Sequence, residues 1–279
     1  MNEVGEMPDK GERPESGPRA SRARQPAPAL CGIAVMAKAS AAGRTKTRLV
    51  PPLDYQEAAA FNTVFLKDVA ENLLAAARQT SIAGYMAFGP PGCEAFFKDS
   101  FHPDIGHFAA WLPGFGDCLH LAMQEVLKRG HRGAVVLNSD SPTLPTALLV
   151  EAADFLARPG DRAVLGPARD GGYYLLGLKQ AHRRMFEDIE WSTSRVADQT
   201  IERAGELGLD LRVLAPWYDV DDSGSLRILQ GELTATRSFN EALAPYRASH
   251  TLKLMKSLLR TTDLAERLGA VHALEGAAP

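Results

Sequence analysis

The stretch "GAVVLNSDSPTLP" at residues 133–145 decides the fold. Its first half holds four consecutive apolar residues, which is typical of a strand buried on both faces of a parallel sheet. A polar loop follows, and a helix is predicted from Pro145 to about Ala157. Asp140 therefore comes directly after a central strand, where α/β proteins place ligand-binding residues.

On both sides of this stretch, short apolar runs alternate with longer amphipathic segments. Strands are predicted at 31–37, 81–89, 106–111, 162–168, 172–178 and in the first part of 210–222, and helices at 54–79, 93–100, 115–130 and 194–208. Such alternation predicts an α/β fold with a mostly parallel central sheet and helices on both faces. Because ligands bind beyond the carboxyl ends of parallel strands, the polar residues after each strand are the candidate site.

The loop after the first strand, "KASAAGRTKTRL" at 38–49, is strongly basic. It places Arg44, Lys46 and Arg48 next to Gly43. A glycine-containing basic loop can bind phosphate through its cations and its backbone N–H groups. It matches neither a Walker motif nor G-x-G-x-x-G, so by itself it also fits a solvated turn.

Acidic residues follow the other strands of the predicted sheet. They are Asp140 beside Ser139, Asp170 in "DGG", and Asp219, Asp221 and Asp222 in "DVDD". Carboxylates beside cations suit a metal-bound polyphosphate, since Asp oxygens bind Mg²⁺ and Lys and Arg neutralise phosphate oxygens. Each motif alone also has a structural interpretation, as a hairpin turn or a helix cap.

Composition excludes several classes of protein. The 279 residues are 45% hydrophobic and 23% charged with a net charge of −3, which predicts a globular protein without a nucleic-acid partner. No apolar run approaches the length of a membrane span. The three cysteines form no CxxC pair, which favours a reducing, cytoplasmic location.

Three regions are predicted along the chain. Residues 1–29 are rich in Pro, Gly, Ser and balanced charge and are predicted to form a disordered tail. Residues 30–238 are predicted to form the ligand-binding domain, and 239–279 a helical extension. Within the extension, 250–269 reads as one amphipathic basic helix that docks on the domain or on a second subunit, so a homodimer is left open.

Five motifs together resemble a known family. They are "VMAKASAAGRTKTRL", "LNSDSPTLP", "GPARDGGYYLLGL", "WSTSRVADQT" and "WYDVDD", in this order. They resemble a bacterial family of nucleotide-diphospho-sugar transferase-like proteins with the glycosyltransferase-A fold, many of which carry a domain-of-unknown-function label or the name glycosyltransferase. The family is similar to phospholactate guanylyltransferase and, more distantly, to the molybdenum-cofactor nucleotidyltransferases.

The resemblance implies a Rossmann-like three-layer fold, a nucleotide donor and Mg²⁺ or Mn²⁺. The residues that would bind the nucleotide are Lys38, Gly43, Arg44, Lys46, Arg48 and Ser139. Asp140 would bind the metal together with Asp219 or Asp221. Many relatives have Asp-x-Asp where this chain has Asn138-Ser139-Asp140, so the second carboxylate must come from elsewhere, with Asp170 and Asp221 as candidates.

The same resemblance suggests which residues act in the reaction. Lys46, Arg48 and Asp170 are the candidate catalytic residues, with Asp170 as a general base. The small-molecule acceptor would contact residues in two motifs, namely Gly171, Gly172, Tyr173, Trp191 and Ser192. Of the two tyrosines that follow "DGG", alternation along the strand allows at most one to face the ligand.

Three functions fit these residues. The basic loop favours nucleotidyl transfer, in which an NTP reacts with a phosphorylated acceptor and pyrophosphate leaves, and this is the reaction that the sequence predicts first. The usual label of the family favours glycosyl transfer from an NDP-sugar. A nucleotide-binding module without catalytic activity is the third interpretation.

Overall fold

The chain is described from residue 30 to residue 275 in a computed structural model, and the predicted tail at 1–29 lies outside the described residues. The strands are β1 Cys31–Ala37, β2 Ile82–Phe88, β3 Gly106–Ala109, β4 Gly133–Leu137, β5 Arg162–Pro167, β6 Tyr173–Leu178 and β7 Asp210–Val213. The helices are α1 Tyr55–Ala77, α2 Glu94–Ser100, α3 Phe115–Lys128, α4 Thr146–Ala157, α5 Val196–Glu206, α6 Ser223–Leu233, α7 Ser249–Thr261 and α8 Leu264–Glu275. The predicted strands and helices of the domain are all present, with bounds that differ by a few residues.

The seven described strands form one sheet in the order β3-β2-β1-β4-β6-β5-β7. Strand β6 pairs antiparallel with both β4 and β5, and the remaining pairs are parallel. The "DGG" motif is therefore a hairpin turn between β5 and β6. The carboxyl ends of β1, β4, β5 and β7 lie at the same edge of the sheet, and the predicted α/β fold with a mostly parallel sheet is confirmed.

Each face of the sheet has its own apolar core. Along β1, Ile33, Val35 and Ala37 pack in the cluster that contains α1 and α4, whereas Ala34 packs in the cluster that contains α3 and α5. Because successive side chains of a strand point to opposite faces, this pattern gives a three-layer arrangement. Leu49, directly after the basic loop, is fully buried in the α1 cluster and anchors the end of that loop there.

Helix α1 begins where the sequence predicts, at a capping box. The Asp54 side chain accepts a hydrogen bond from the backbone N–H of Glu57 at 2.7 Å, and the Glu57 side chain accepts one from the backbone N–H of Asp54 at 2.9 Å. These two bonds satisfy N–H groups that have no partner inside the helix.

The C-terminal extension differs from its prediction, because residues 250–269 form parts of two helices rather than one. Thr262, between α7 and α8, has an extended backbone, and its hydroxyl accepts a hydrogen bond from Leu264 N at 3.2 Å. The break turns the chain so that Met255 of α7 and Leu264 of α8 are both buried in the α1 cluster. None of the described helices is long and apolar enough to cross a membrane.

Candidate active site

The loops that follow β1, β4, β5 and β7 meet at one edge of the sheet and border a cleft of about 680 Å³. All the charged residues that line it come from these loops. The cations are Lys38, Arg44, Lys46 and Arg48, and the carboxylates are Asp140, Asp170 and Asp221. These seven residues form what we call the charged wall. Gly43 and Gly171 turn the chain beside the cleft with positive φ angles of 73° and 90° and do not line it.

Lys46 is the centre of the charged wall. Its ammonium Nζ lies 2.7 Å from Asp140 Oδ1 and 2.9 Å from Asp221 Oδ1, and it donates a hydrogen bond to the Val220 carbonyl oxygen at 2.8 Å. The side chain is only 5% exposed. Burial acts to lower the pKa of Lys46, but the charges of Asp140 and Asp221 outweigh burial and raise it, so the ammonium stays protonated.

Arg48 and the other loop cations are more accessible. Arg48 is 76% exposed and donates a hydrogen bond to Asp221 Oδ2 at 2.6 Å. For Lys38 and Arg44 the structure records no ion pair within residues 30–275. The Asn62 side chain donates a hydrogen bond to the Lys38 carbonyl oxygen at 3.1 Å and so ties the start of the loop to α1.

Asp219 does not line the main cleft. It lines a neighbouring cavity of about 370 Å³ on the other side of Asp170 and Asp221, together with Arg48 and Arg169. Burial raises the pKa of Asp219 to about 7, and the nearby charges of Asp170 and Asp221 add to this shift. Asp219 therefore opens to a different cavity from Asp140, whereas Asp221 lines both cavities.

Asp221 and Asp222 have different roles although they are adjacent. Asp222 caps α6 by accepting a hydrogen bond from Ser225 N at 2.7 Å. Asp221 faces Lys46 and Arg48, whose charges lower its pKa against the opposing effect of burial. Of the two adjacent aspartates in "DVDD", Asp222 is therefore a helix cap, whereas Asp221 belongs to the charged wall.

The residues of the charged wall fit a divalent cation in part. Asp140 and Asp221 already direct one oxygen each at a single cation, the Lys46 ammonium, and carboxylate oxygens are hard ligands that suit Mg²⁺ and Mn²⁺. Among the described residues, however, the wall's aspartates do not form a group of three with ligand atoms within 4.8 Å. Such a group exists at Asp68, Glu71 and His250, remote from the cleft lining.

The group at Asp68 has a structural explanation. Asp68 is fully buried and accepts hydrogen bonds from His250 N at 3.0 Å, Thr251 N at 2.8 Å and Thr251 Oγ1 at 2.6 Å. It therefore caps the first turn of α7, a role that a carboxylate performs without a metal. The Glu71 carboxylate forms a hydrogen bond with the His250 side chain, with 2.7 Å between Oε1 and Nε2, at the edge of the same contact.

The β5–β6 turn places Asp170 firmly at the cleft. A Cβ atom at Gly171 would lie 2.1 Å from the Ser194 carbonyl oxygen, so only glycine allows the turn to pack this closely on the 191–196 segment. Ala197 N donates a hydrogen bond to the Gly171 carbonyl oxygen at 2.9 Å, and Gly172 N donates one to Asp170 Oδ1 at 2.9 Å. Asp170 is thus held on a hairpin that is fixed to the start of α5.

Four aromatic residues also line the cleft. Trp111, Phe115, Tyr173 and Trp191 line it, and we call these four residues the aromatic wall. The rings of Phe115 and Trp191 meet edge to face at 5.2 Å, and those of Tyr173 and Trp191 at 6.5 Å. Tyr174, by contrast, packs in the core and donates a hydrogen bond to the Ala215 carbonyl oxygen.

The cleft brings together most of the residues predicted from the sequence. Gly172, Ser192 and Ser139 line it along with the two walls. Trp111, Phe115 and Asn138 also line it and were not predicted to be site residues. The sequence marked Asn138 only as a departure from Asp-x-Asp. Two large aromatic residues shortly after a predicted strand are the signal that could have identified Trp111 and Phe115.

Comparisons with known proteins agree with this fold. A family model described as "Uncharacterized protein conserved in bacteria (DUF2064)" matches residues 72–193. A solved structure from Desulfovibrio desulfuricans, provisionally described as a nucleotide-diphospho-sugar transferase, is 25% identical with a TM-score of 0.70. That similarity covers 82% of this chain and 95% of the other. No curated protein matches the chain.

Two further structures are less similar. A cytidylyltransferase from Leptospira borgpetersenii is 9% identical, with 85% of this chain and 96% of that chain covered and a TM-score of 0.47. CMP:2-keto-3-deoxy-manno-octonic acid synthetase in complex with CTP is 12% identical, with 74% and 99% covered and a TM-score of 0.47. At these values neither similarity bears on the chemistry of this chain.

The resemblance read from the five sequence motifs is therefore confirmed. The chain has a fold of the nucleotide-diphospho-sugar transferase type, the predicted enzyme class of transferase is confirmed with it, and residues 72–193 match the bacterial DUF2064 family.

Proposed function

We propose that this protein is a metal-dependent transferase that binds a nucleotide donor through its phosphates at the charged wall. The observation that carries the proposal is the convergence of Lys46, Asp140 and Asp221 on one point of an open cleft at the carboxyl ends of the strands. Such an arrangement suits a phosphate group that arrives with a divalent cation. The three cysteines are free thiols within the described residues, which supports a reducing, cytoplasmic location.

Each residue of the charged wall has a proposed role. Asp140 and Asp221 would hold Mg²⁺ or Mn²⁺, which when bound would neutralise charge on the donor phosphates. Lys38 and Arg44 would contact the phosphates directly, because neither has a recorded ion pair with a carboxylate within residues 30–275. Lys46 and Arg48 would exchange their contacts with Asp221 for contacts with the donor, so that their charge stabilises the leaving group.

The donor we favour is an NDP-sugar. The similarity to the Desulfovibrio protein supports this choice. In the reaction, an acceptor oxygen bonds to the anomeric carbon while the bond from that carbon to the diphosphate breaks. The NDP leaves with the electron pair, and Asp170 accepts the proton of the acceptor.

Nucleotidyl transfer is the second candidate. It is favoured by Lys38 and Arg44, which line the cleft without a recorded ion pair and could bind the terminal phosphates of an NTP. In that reaction a phosphate oxygen of the acceptor bonds to the α-phosphorus, and pyrophosphate leaves with the electron pair. The two reactions release different products from different donors, so they can be separated directly.

The test is to incubate the full chain with Mg²⁺ or Mn²⁺, a panel of NDP-sugars and NTPs, and candidate hydroxylated and phosphorylated acceptors. We expect release of NDP from at least one NDP-sugar, and loss of this activity in Asp140→Asn but not in Asp210→Asn, an exposed aspartate outside the cleft. Pyrophosphate release from an NTP, with no NDP from any sugar donor, would establish the second candidate. Metal-dependent nucleotide binding without any turnover would indicate a silent binding module.

A further inference from the structure

We infer that the acceptor is an uncharged, ring-shaped molecule with hydroxyl groups, and that it binds against the aromatic wall. The inference rests on the proposed function, because it concerns the second substrate of the same cleft. It differs from the phosphorylated acceptor that nucleotidyl transfer requires. Three independent features of the wall carry it.

The first feature is the shape of the aromatic wall. Trp111 and Phe115 are 45% and 55% exposed, and both line the same cleft as Trp191, so they form part of an apolar patch rather than single surface rings. Trp111 is seated on Gly89 and Trp191 on Gly116, where a Cβ atom would lie 2.3 Å and 2.9 Å from the respective rings. The rings therefore have fixed positions, and they present flat apolar surface to the cleft.

The second feature is the distribution of charge. The seven charged residues that line the cleft lie at 38–48, 140, 170 and 221, whereas the residues that line it from 110–119 and 191–196 are all uncharged. A phosphate or carboxylate bound on the aromatic side would lose its hydration without gaining a cation. The wall thus discriminates against an anionic acceptor.

The third feature is a pair of polar atoms without partners. Asn138 Oδ1 and Tyr173 Oη are buried and form no hydrogen bond within the described residues. Both residues line the cleft, at the ends of the neighbouring strands β4 and β6. Buried polar atoms are usually paired, so these two indicate a ligand that supplies hydroxyl groups at this position.

The position of Asp170 joins these features to the reaction. It lies at the turn that leads into Tyr173, and it lines the cleft with both walls. Asp170 thus belongs to the charged wall but adjoins the aromatic wall through Tyr173, so the candidate base lies where the two walls meet. An apolar binding surface with a few placed polar atoms is the usual composition of a site for an uncharged small molecule.

Tryptophan fluorescence provides the test. Two of the three tryptophans, Trp111 and Trp191, line the cleft, while Trp217 is fully buried in the core. The probes are methyl β-D-glucopyranoside as the neutral hydroxylated ring and methyl β-D-glucopyranoside 6-phosphate as its charged counterpart. We expect saturable quenching by the neutral probe, and binding of the charged probe at least tenfold weaker, a difference of about 1.4 kcal/mol.

Variants locate the binding surface. Phe115→Ala should weaken binding of the neutral probe about fivefold to tenfold through loss of ring contact. Tyr173→Phe should weaken it about fivefold through loss of a hydrogen bond. Tyr55→Ala, which removes an exposed aromatic residue outside the cleft, should leave it unchanged.

The outcomes separate this inference from the proposed function. Calorimetric titration of Mg²⁺ with NDP reports on the donor site alone. Normal NDP binding with no saturable quenching, or with equal affinity for the two probes, overturns the inference and leaves the function standing. Probe binding that depends on Phe115 in a protein that binds no nucleotide supports the aromatic site and rejects the nucleotide-dependent function.

Discussion

At the scale of single residues, Lys46 is the most consequential side chain of the cleft, because it separates two carboxylates. Lys46→Met should abolish most turnover and lower the free energy of unfolding by about 1–3 kcal/mol, since Asp140 and Asp221 would then face each other without a cation. Mg²⁺ or Mn²⁺ should restore part of that stability. Thermal unfolding with and without the metal measures both effects.

Arg44→Met is the matched control for this prediction. Arg44 is exposed, belongs to the same loop and has no recorded carboxylate partner. The Arg44→Met substitution should change the free energy of unfolding little. Mg²⁺ or Mn²⁺ should stabilise this variant no more than the metal stabilises the unmodified protein. Equal effects of the metal on the two variants would contradict the role given to Lys46.

Asp219 should make stability depend on pH. Its pKa in the folded protein is about 7, well above the ordinary value near 4, so between these values the folded state keeps a proton that the unfolded chain has lost. Its contribution to stability is therefore present at low pH and lost as the pH rises through 7. Asp219→Asn has no carboxyl group to ionise. Its free energy of unfolding should therefore exceed that of the unmodified protein by about 1–3 kcal/mol at high pH, and by less near pH 5.

Urea unfolding at several pH values checks this prediction. The groups that act on Asp219 are the carboxyls of Asp170, Asp221 and Asp140. The difference in stability between Asp219→Asn and the unmodified protein should rise between about pH 4 and 7 and then level off. A difference that stays constant across this range would show that Asp219 titrates normally in the folded state.

At the scale of elements, the β5–β6 hairpin determines where Asp170 lies. Gly171→Ala should lower the free energy of unfolding by about 2–4 kcal/mol, because φ is 90° and the added Cβ would collide with the Ser194 carbonyl oxygen. The displaced turn should also reduce turnover. Denaturant unfolding and the donor assay measure the two effects in one variant.

Gly43→Ala separates strain from collision. Gly43 also has a positive φ, 73°, but a Cβ atom there would meet nothing within 4 Å. We expect Gly43→Ala to lower the free energy of unfolding by only about 1 kcal/mol, because only the left-handed backbone opposes the substitution. If both variants lose the same amount, close packing on Ser194 contributes nothing and the hairpin is not held by that contact.

At the scale of the whole molecule, Asp68 ties the C-terminal extension to the sheet domain. Asp68→Ala leaves His250 N and Thr251 N without their acceptor and should lower the free energy of unfolding by about 2–3 kcal/mol. Glu71→Ala removes only the exposed contact with His250 and should cost less than about 1 kcal/mol. Circular dichroism during urea unfolding compares the two variants.

Local patterns explain how far the sequence predicted this molecule. Strands such as 133–138 and the cap at Asp54 follow from apolar runs and from residues within four positions, and the structure has both. The contact between Lys46 and Asp221 spans 175 positions, and no local pattern contains it. The break at Thr262 depends on burying Leu264 against the domain, so periodicity alone favoured one helix.

The same reasoning applies to the cleft. The sequence predicted which loops meet, because carboxyl ends of parallel strands share an edge. It did not predict that Lys46 and Arg48 would be paired with carboxylates, nor that Asp219 would face a second cavity. These facts depend on side-chain directions, which alternate over one or two residues and are set by packing between distant segments.

The division of the cleft into two walls has an evolutionary consequence. The charged wall comes from 38–48, Asp140, Asp170 and Asp221, whereas most of the aromatic wall comes from 111–115 and 191. Substitutions in the second set of segments can change which molecule is modified and leave the donor chemistry intact. Proteins with this architecture can therefore change their acceptor by substitution of a few aromatic residues. Exchange of residues 106–119 between relatives should transfer the preference for the acceptor.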